Sequence, residues 1–294
     1  MAEPGTLGFI GLGNMGGPMC ANIAKAQRWP MVVFDAAGTA ARAPAGVTQA
    51  ASVAEVAATA DTILLSLPDG KIVAAVAAEI AAAPNRRAAT IADLSTVGVV
   101  AAREIGTAMA KAGIAFVDAP VSGGRAGAIA ATITVMCAGA ADAVAMLTPV
   151  FKTMAGNVIP VGTQPGQGQA MKLANNFLSA VAMTATSEAV HFGISQGLDM
   201  KTMLDVLNVS TGRNTATSDK FPNRIATGTF DAGFAMPLMS KDVGLYYENA
   251  VAAGTVTDVG TAVAEIWKGA VKSWPDGDFT RIYDVVGSLG KGAR

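Results

Sequence analysis

Residues 7–16 read Leu-Gly-Phe-Ile-Gly-Leu-Gly-Asn-Met-Gly. The apolar run Leu7–Ile10 predicts a short buried strand, and the stretch 14–27 predicts a helix. Between them lies the spacing G-x-G-x-x-G, which in this context indicates a dinucleotide site. The glycine turn lets the backbone approach a pyrophosphate, and the helix N-terminus presents N–H groups to it. The predicted cofactor loop consists of Gly11, Leu12, Gly13, Asn14, Met15 and Gly16.

An acidic residue ends the next predicted strand, Met31–Asp35. A carboxylate at this point accepts hydrogen bonds from both ribose hydroxyls and repels a 2′-phosphate. Asp35 therefore favours NAD as the cofactor, while NADP stays possible. Arg42 follows a few residues later and has no evident role beside Asp35.

Apolar strands alternate with Ala-rich helices through the first half of the chain. Further strands are predicted at 62–68, 89–95, 115–121, 133–138 and 158–161, with helices near 52–59, 71–82 and 98–111. This alternation predicts the α/β class, with a doubly wound, mostly parallel sheet of the Rossmann type.

The pattern changes after the turn-rich segment 162–166, beyond which no strand is predicted. A long helix is predicted over 167–197, followed by helices near 199–207, 215–227, 237–253, 256–272 and 278–289. We therefore predict a dinucleotide-binding domain over residues 1–163. An all-helical domain for substrate and oligomerisation follows over residues 164–294.

The composition excludes several classes of protein. The 294 residues are 51% hydrophobic and 15% charged, which excludes a disordered chain, and the net charge of −1 offers no field to attract nucleic acid or an anionic membrane. The longest uncharged stretches are too short to span a bilayer, and no signal peptide is expected. Two cysteines without metal-ligand spacing predict no metal site and a reducing compartment, the cytoplasm.

Lys172 and Asn176 lie four residues apart on the predicted long helix, so they share one face. Their apolar neighbours predict that this face is buried, which is costly for a lysine without a task or a partner. Removal of water lowers the pKa of a lysine, so that its amine can accept a proton near neutral pH. A solvated surface lysine is the alternative reading of the same spacing.

His191 is the single histidine and lies too far along the helix to share a site with Lys172. We expect it to be structural, or to lie with Met183 and Phe192 on an exposed face that contacts another subunit. Ser122, Gly123 and Gly124 follow a predicted strand, where backbone N–H groups and a hydroxyl can hold a carboxylate. An ordinary loop is the alternative there.

Together these segments resemble the β-hydroxyacid dehydrogenase family, the group of 3-hydroxyisobutyrate dehydrogenase and tartronate semialdehyde reductase. The resemblance covers essentially the whole chain through GFIGLGNMG, DLST, DAPVSGG and GQAMKLANN, and ends with MSKD at residues 239–242. It implies NAD(P)-dependent oxidation of a short, 3-hydroxyisobutyrate-like β-hydroxyacid, with the reverse reduction. It also implies a small-molecule partner, no nucleic acid or membrane, and a homodimer or homotetramer.

The resemblance implies roles for individual residues. Lys172 is the expected acid–base group, and Asn176 is expected to assist it or to hold the reacting oxygen. Ser122, Gly123 and Gly124 are expected to bind the acid end of the substrate. Leu67, Pro68 and Thr96 are expected along the cofactor, and Lys241 is expected to reach the cofactor or the active site, oriented by Asp242.

The chain also departs from the family pattern at Arg125, Ile129 and Ala131. Arg213 follows the helix near 199–207 and could pair with a distal anionic group of the substrate, or lie in solvent. Two other functions stay open at this point. One is a decarboxylating enzyme like 6-phosphogluconate dehydrogenase, although Ser179 stands where that group has a glutamate. The other is a non-catalytic oligomerisation module on the same fold.

Overall fold

The computed structural model describes residues 3–289, which divide into two compact units that meet in sequence between Lys172 and Leu173. This division lies later than the predicted boundary at residue 163, because the first turns of the long helix belong to the first unit. The strands of the first unit are Leu7–Ile10 (β1), Met31–Phe34 (β2), Thr48–Gln49 (β3), Thr62–Leu65 (β4), Thr90–Asp93 (β5), Ala115–Asp118 (β6), Val121–Ser122 (β7), Ile133–Ala138 (β8) and Ala155–Gly162 (β9). Its first six helices are Gly16–Lys25 (α1), Val53–Thr59 (α2), Gly70–Ala82 (α3), Val99–Lys111 (α4), Gly124–Ala130 (α5) and Ala141–Met154 (α6).

The strands form one sheet in the order β3-β2-β1-β4-β5-β6-β8-β7, with β9 also paired to β8. The strands from β3 to β6 in this order are parallel, whereas β8 runs antiparallel to β6 and β7. The prediction of a mostly parallel, doubly wound sheet is confirmed. Because the chain moves from β1 to β2 on one side and later to β4 on the other, a topological switch point lies at the end of β1.

The sheet is buried on both faces. Leu7 and Phe9 of β1 pack into one apolar cluster, whereas Ile10 packs into the cluster on the opposite face. Successive side chains of a strand point to opposite faces, which explains why the parallel strands are continuously apolar. Cys20 and Cys137 are buried free thiols, and burial raises the pKa of Cys20 to about 12. They pack as small apolar residues, as predicted.

Four elements escaped the sequence prediction: β3, β7, α5 and α6. The two strands have two residues each, too few for any periodicity to appear. Helix α5 contains Gly124 and Gly127, which lower helix propensity, and α6 contains Pro149. In both helices, packing against the sheet overrides the local preference of the sequence.

The second unit is helical, as predicted, and its described residues contain no β-strand. Its elements are the continuation of Gln167–Ser195 (α7), then Met200–Asn208 (α8), the π-helix Ala216–Ile225, Met236–Ala252 (α9), Asp258–Ser273 (α10), the 3-10 turn Phe279–Arg281 and Ile282–Leu289 (α11). Pro222 lies inside the π-helix and has no N–H for the usual α-helical bond, which accounts for the wider turn. Trp267 is fully buried in the core of this unit, and its indole N–H donates to the Thr184 hydroxyl at 3.1 Å.

The predicted exposed face of α7 is partly wrong. Phe192 is 68% exposed, but Met183 is only 1% exposed and belongs to the core of the helical unit. His191 stacks on the Tyr283 ring, and its Nε2 donates to the Tyr283 carbonyl at 3.0 Å, so its contacts are structural. No helix between residues 3 and 289 combines the length and apolarity needed to cross a membrane.

Candidate active site

The glycine-rich loop connects the buried strand β1 to helix α1, and its glycines serve different purposes. A Cβ on Gly11 would lie 2.2 Å from the Ser66 carbonyl oxygen, and a Cβ on Gly16 would lie 1.9 Å from the Gly11 carbonyl oxygen. These two positions therefore hold the turn closed by close backbone packing. A Cβ on Gly13 would instead point into open space, with no atom within 4 Å.

The open space at Gly13 adjoins the N-terminus of α1, where backbone N–H groups and the helix dipole favour an anion. The N-cap residue Met15 has no polar side chain to occupy those N–H groups. Open space beside a helix N-terminus, which lets the backbone approach closely, is what the pyrophosphate of NAD(P) requires. The residues present therefore fit the expected cofactor.

Asp35 lies at the end of β2 and joins this loop directly. Its carboxylate accepts the backbone N–H of Leu12 at 2.6 Å and that of Ala37 at 2.8 Å. The Arg42 guanidinium lies 3.3 Å from the same carboxylate. The sequence had suggested no role for Arg42, and the structure places it as the charge partner of Asp35.

Two further predicted cofactor segments lie on adjacent strand ends. Leu67 and Pro68 follow β4, and Thr96 follows β5, which pairs with β4 up to Leu65 and Asp93. The Leu67 backbone N–H donates to the Ser95 hydroxyl at 2.8 Å, so the two loops are hydrogen-bonded to each other. Since β1 also neighbours β4, the carboxyl edge of the sheet gathers these loops around the glycine turn.

The predicted substrate loop starts in β7. Ser122 pairs with Thr134 of β8, and Gly123 adopts a left-handed backbone, φ +128°, directly before α5. A Cβ on Gly123 would lie 3.2 Å from the backbone of Ile133. A larger residue is therefore disfavoured at this position both by the left-handed backbone and by the lack of space. Arg125 on α5 and Arg213 after α8 are both exposed.

Lys172 is only 7% exposed, which excludes the solvated-lysine alternative. It lies near the start of α7, whose first turn is fixed to the sheet. The buried Asp118, at the end of β6, accepts the backbone N–H groups of Gly166 at 3.0 Å and Gln169 at 2.8 Å. Burial is the main reason that the pKa of Asp118 is raised to about 6, and the neighbouring Asp93 raises it further, against the lowering effect of these hydrogen bonds.

Asn176 is 6% exposed and belongs to a polar cluster of the helical unit. Its amide donates to the buried Asp242 carboxylate at 2.6 Å, and the Asn175 amide donates to the Asn176 oxygen at 3.0 Å. The Lys241 amine lies 3.6 Å from the other Asp242 oxygen. Asp242 therefore lies between Lys241 and Asn176, and connects two residues that the sequence had singled out separately.

Sequence reasoning missed Asp118 and Gln169 as site-forming residues. Both stand inside motifs that had been noticed, DAPVSGG and GQAMKLANN. The available signal was an acid at the end of a strand together with a glycine-bounded helix start, Gly166 and Gly168. Such an acid can cap the N-terminus of a helix elsewhere in the chain.

The comparisons with known proteins agree with this geometry. Residues 6–162 match the family model for the NAD-binding domain of 6-phosphogluconate dehydrogenase, and residues 166–286 match the model for the NAD-binding of NADP-dependent 3-hydroxyisobutyrate dehydrogenase. An NAD-dependent L-serine dehydrogenase of Pseudomonas aeruginosa is 34% identical over 285 residues, which cover 93% of this chain and 95% of that protein. A probable 3-hydroxyisobutyrate dehydrogenase of Mycobacterium tuberculosis is 36% identical over 287 residues, covering 94% and 96%.

The solved structure of the 3-hydroxyisobutyrate dehydrogenase of Mycobacterium tuberculosis with L-serine superposes with a TM-score of 0.88 at 34% identity, and the match covers 96% of this chain and 99% of that chain. Fold, loop and matches together define an NAD(P)-dependent oxidoreductase that acts on a CH–OH group. More narrowly, the chain belongs to the β-hydroxyacid dehydrogenase family.

Because of the contrast between Gly13 and Gly16, the same substitution should affect cofactor binding at one position and stability at the other. G13A should keep the melting temperature of the wild type but weaken NADH binding by at least about tenfold, because the new methyl fills space next to the helix N-terminus. G16A should lower the melting temperature, because its methyl overlaps the Gly11 carbonyl. Thermal unfolding and fluorescence titration with NADH measure both effects. Unchanged NADH affinity in G13A would contradict this placement of the pyrophosphate.

Asp118 predicts a pH dependence of stability. Its folded pKa of about 6 lies above the ordinary 3.8, so its contribution to stability is greatest below pH 4 and falls as the pH rises to about 6. The shift corresponds to roughly 3 kcal/mol. Denaturant unfolding of the wild type and D118N at pH 4.5 and 7.5 should show the wild type losing stability relative to the variant at the higher pH. A difference that does not change with pH would refute this role.

Proposed function

We propose that this protein oxidises a short β-hydroxy carboxylate with NAD and that Lys172 accepts the proton of the substrate hydroxyl. The observation that carries the proposal is the near-complete burial of Lys172, three residues beyond a helix turn that is hydrogen-bonded to the cofactor-binding sheet. A lysine buried in that position is better explained by a role in general acid–base chemistry than as a solvated side chain or as half of a surface ion pair.

Different residues of the chain have different roles in the proposed reaction. Ser122, Gly123 and Gly124 bind the carboxylate of the substrate through a hydroxyl and backbone N–H groups. Lys172 removes the hydroxyl proton during oxidation and returns it during reduction, by microscopic reversibility. When bound, the nicotinamide supplies the acceptor for the hydride. Asn176, held by Asp242, assists by binding the reacting oxygen, and Lys241 reaches toward the cofactor.

The substrate class follows from the family and from the short binding loop. L-serine and 3-hydroxyisobutyrate, the compounds in the names of the two relatives, both carry a hydroxyl on the carbon β to a carboxylate. We propose a member of this class and retain the 3-hydroxyisobutyrate-like acid as the expected substrate. We propose that Arg213, which is exposed, contacts the distal anionic group of a substrate only when the substrate is a larger acid of this class.

We propose NAD as the preferred cofactor because Asp35 presents its carboxylate beside the loop. The pairing with Arg42 reduces the repulsion that Asp35 exerts on a 2′-phosphate, which keeps NADP usable. We further propose a homodimer or homotetramer in the cytoplasm. The exposed Phe192 on α7 supports the assembly, and the two unpaired thiols support the compartment.

The role of Lys172 is tested by K172A, with K111A as the matched control because Lys111 is an exposed lysine at the end of α4. K172A should lower kcat about 10²–10⁴-fold with β-hydroxyacids while NADH binding stays nearly unchanged. K111A should behave as the wild type. Turnover is followed by NADH absorbance over a panel that contains 3-hydroxyisobutyrate and L-serine.

Near-normal turnover in K172A would overturn the assignment. Release of CO₂ in step with NADH would instead favour the decarboxylating alternative. A wild type that binds NADH, oxidises nothing in the panel and self-associates tightly would favour the oligomerisation module.

The cofactor preference is tested by D35N. The amide keeps an oxygen that can accept the Leu12 N–H but removes the negative charge, and leaves the Arg42 cation to meet a 2′-phosphate. The ratio of kcat/KM for NAD to that for NADP should fall by at least about tenfold, equivalent to ~1.4 kcal/mol. An unchanged ratio in D35N would show that Asp35 does not select the cofactor.

A further inference from the structure

The side chain of Gln169, in the first turn of α7, makes three hydrogen bonds to a segment distant in the chain. It is fully buried, and its Oε1 accepts the backbone N–H groups of Val97 at 3.0 Å and Gly98 at 3.3 Å. Its Nε2 donates to the Ser95 carbonyl at 2.9 Å. Both ends of the amide are therefore bonded to one loop, which fixes the orientation of the side chain.

That loop, residues 95–98, is the one that carries Thr96 along the expected cofactor. Ser95 also accepts the Leu67 N–H through its hydroxyl, which extends the connection to the loop after β4. The Gln169 side chain thus joins the helix directly to loop 95–98 and, through Ser95, to the loop after β4; both loops are expected along the cofactor. None of these bonds is needed to form the helix itself, since all three are side-chain contacts to distant segments.

The backbone of the same turn is equally constrained. The Gln169 N–H donates to Asp118, and a Cβ on Gly168 would lie 2.6 Å from the Met136 carbonyl oxygen. The turn can therefore neither rise from the sheet without breaking hydrogen bonds nor move closer to it. Lys172 lies three residues further on, about 4.5 Å along the axis and on the same side of the helix.

From this arrangement we propose that Gln169 is a positioning residue for proton transfer: it holds the turn that carries Lys172 at a fixed distance from the cofactor loop 95–98. The inference rests on the proposed function, because it acts through Lys172. A displacement of about 1 Å between reacting groups can cost about 10²-fold in rate, so a side chain that fixes this distance affects turnover without touching the substrate.

The test replaces the amide with an apolar side chain of similar length, Q169M, and compares it with Q167M. Gln167 is in the same turn but exposed; its side-chain oxygen accepts the local backbone N–H of Gln164, and its side chain lies against the nearby Gly162. Q169M should lower kcat about 10- to 100-fold and raise the deuterium isotope effect on hydride transfer. NADH affinity should change by less than about threefold, since most of it resides in the glycine loop. Q167M should match the wild type in all three measurements.

A second variant guards against loss of folding. Q169E keeps the acceptor oxygen, and burial favours the protonated carboxyl, which can also donate to Ser95. Its kcat should lie between those of Q169M and the wild type. A purely structural role would lower the melting temperature of Q169M but leave kcat and the isotope effect at wild-type values below that temperature, and this result would overturn the proposal. In the event that Q169M does not fold, a Q169E protein that keeps the wild-type melting temperature but loses kcat about 10- to 100-fold would overturn it as well, because the hydrogen bonds would then be restored without restoring turnover.

A readout without turnover separates this inference from the proposed function. Reductive methylation followed by mass spectrometry measures how readily the Lys172 amine reacts in the protein alone. Lys172 should react faster in Q169M than in the wild type, whereas Lys111 should react equally in both. An inactive wild type would reject the proposed function only, and an unchanged labelling rate of Lys172 would reject the role of Gln169.

Discussion

The buried carboxylate of Asp118 at the N-terminus of α7 is the constraint on which the candidate site depends. Removing a carboxylate from water is costly, and two backbone N–H groups and the positive end of a 29-residue helix offset only part of that cost, because its pKa still lies above the ordinary range. The gain is geometric. When the first N–H groups of a helix donate to a carboxylate at the end of a strand, the start of the helix is fixed relative to the sheet. The side chains of its first two turns are then held in place as well.

The same principle operates at the other strand ends. The backbone of the glycine turn donates to Asp35, and the loop after β4 donates to Ser95. These two loops are each bonded to a side chain that follows a neighbouring strand, so the register of the sheet fixes their positions. In a parallel sheet, all carboxyl ends lie on one edge, so residues far apart in the chain are brought together in the candidate site.

The sequence predicted those parts of the structure that leave a local pattern. The strand–glycine–helix stretch, the long α7 and the change to an all-helical unit all rest on periodicity or on turn residues within a short window. The contacts of Gln169 with Ser95 and of Asp118 with Gly166 span 74 and 48 positions, and no local pattern reports them. Met183 was misplaced for a related reason: α7 is apolar around much of its circumference, so its sequence does not show which face is buried.

Arg42 shows how such a missed contact changes a functional argument. From sequence, Asp35 was a carboxylate that repels a phosphate; in the structure it is half of an ion pair and also the acceptor for the Leu12 N–H. Its hydrogen bond fixes the shape of the glycine turn, whereas an action of its charge on the 2′ position of the ribose belongs to the proposed cofactor preference. A residue that changes cofactor preference cleanly must remove the charge and keep the acceptor. A substitution that removes both is expected to release the glycine turn as well, so that a change of preference and a loss of binding could no longer be separated.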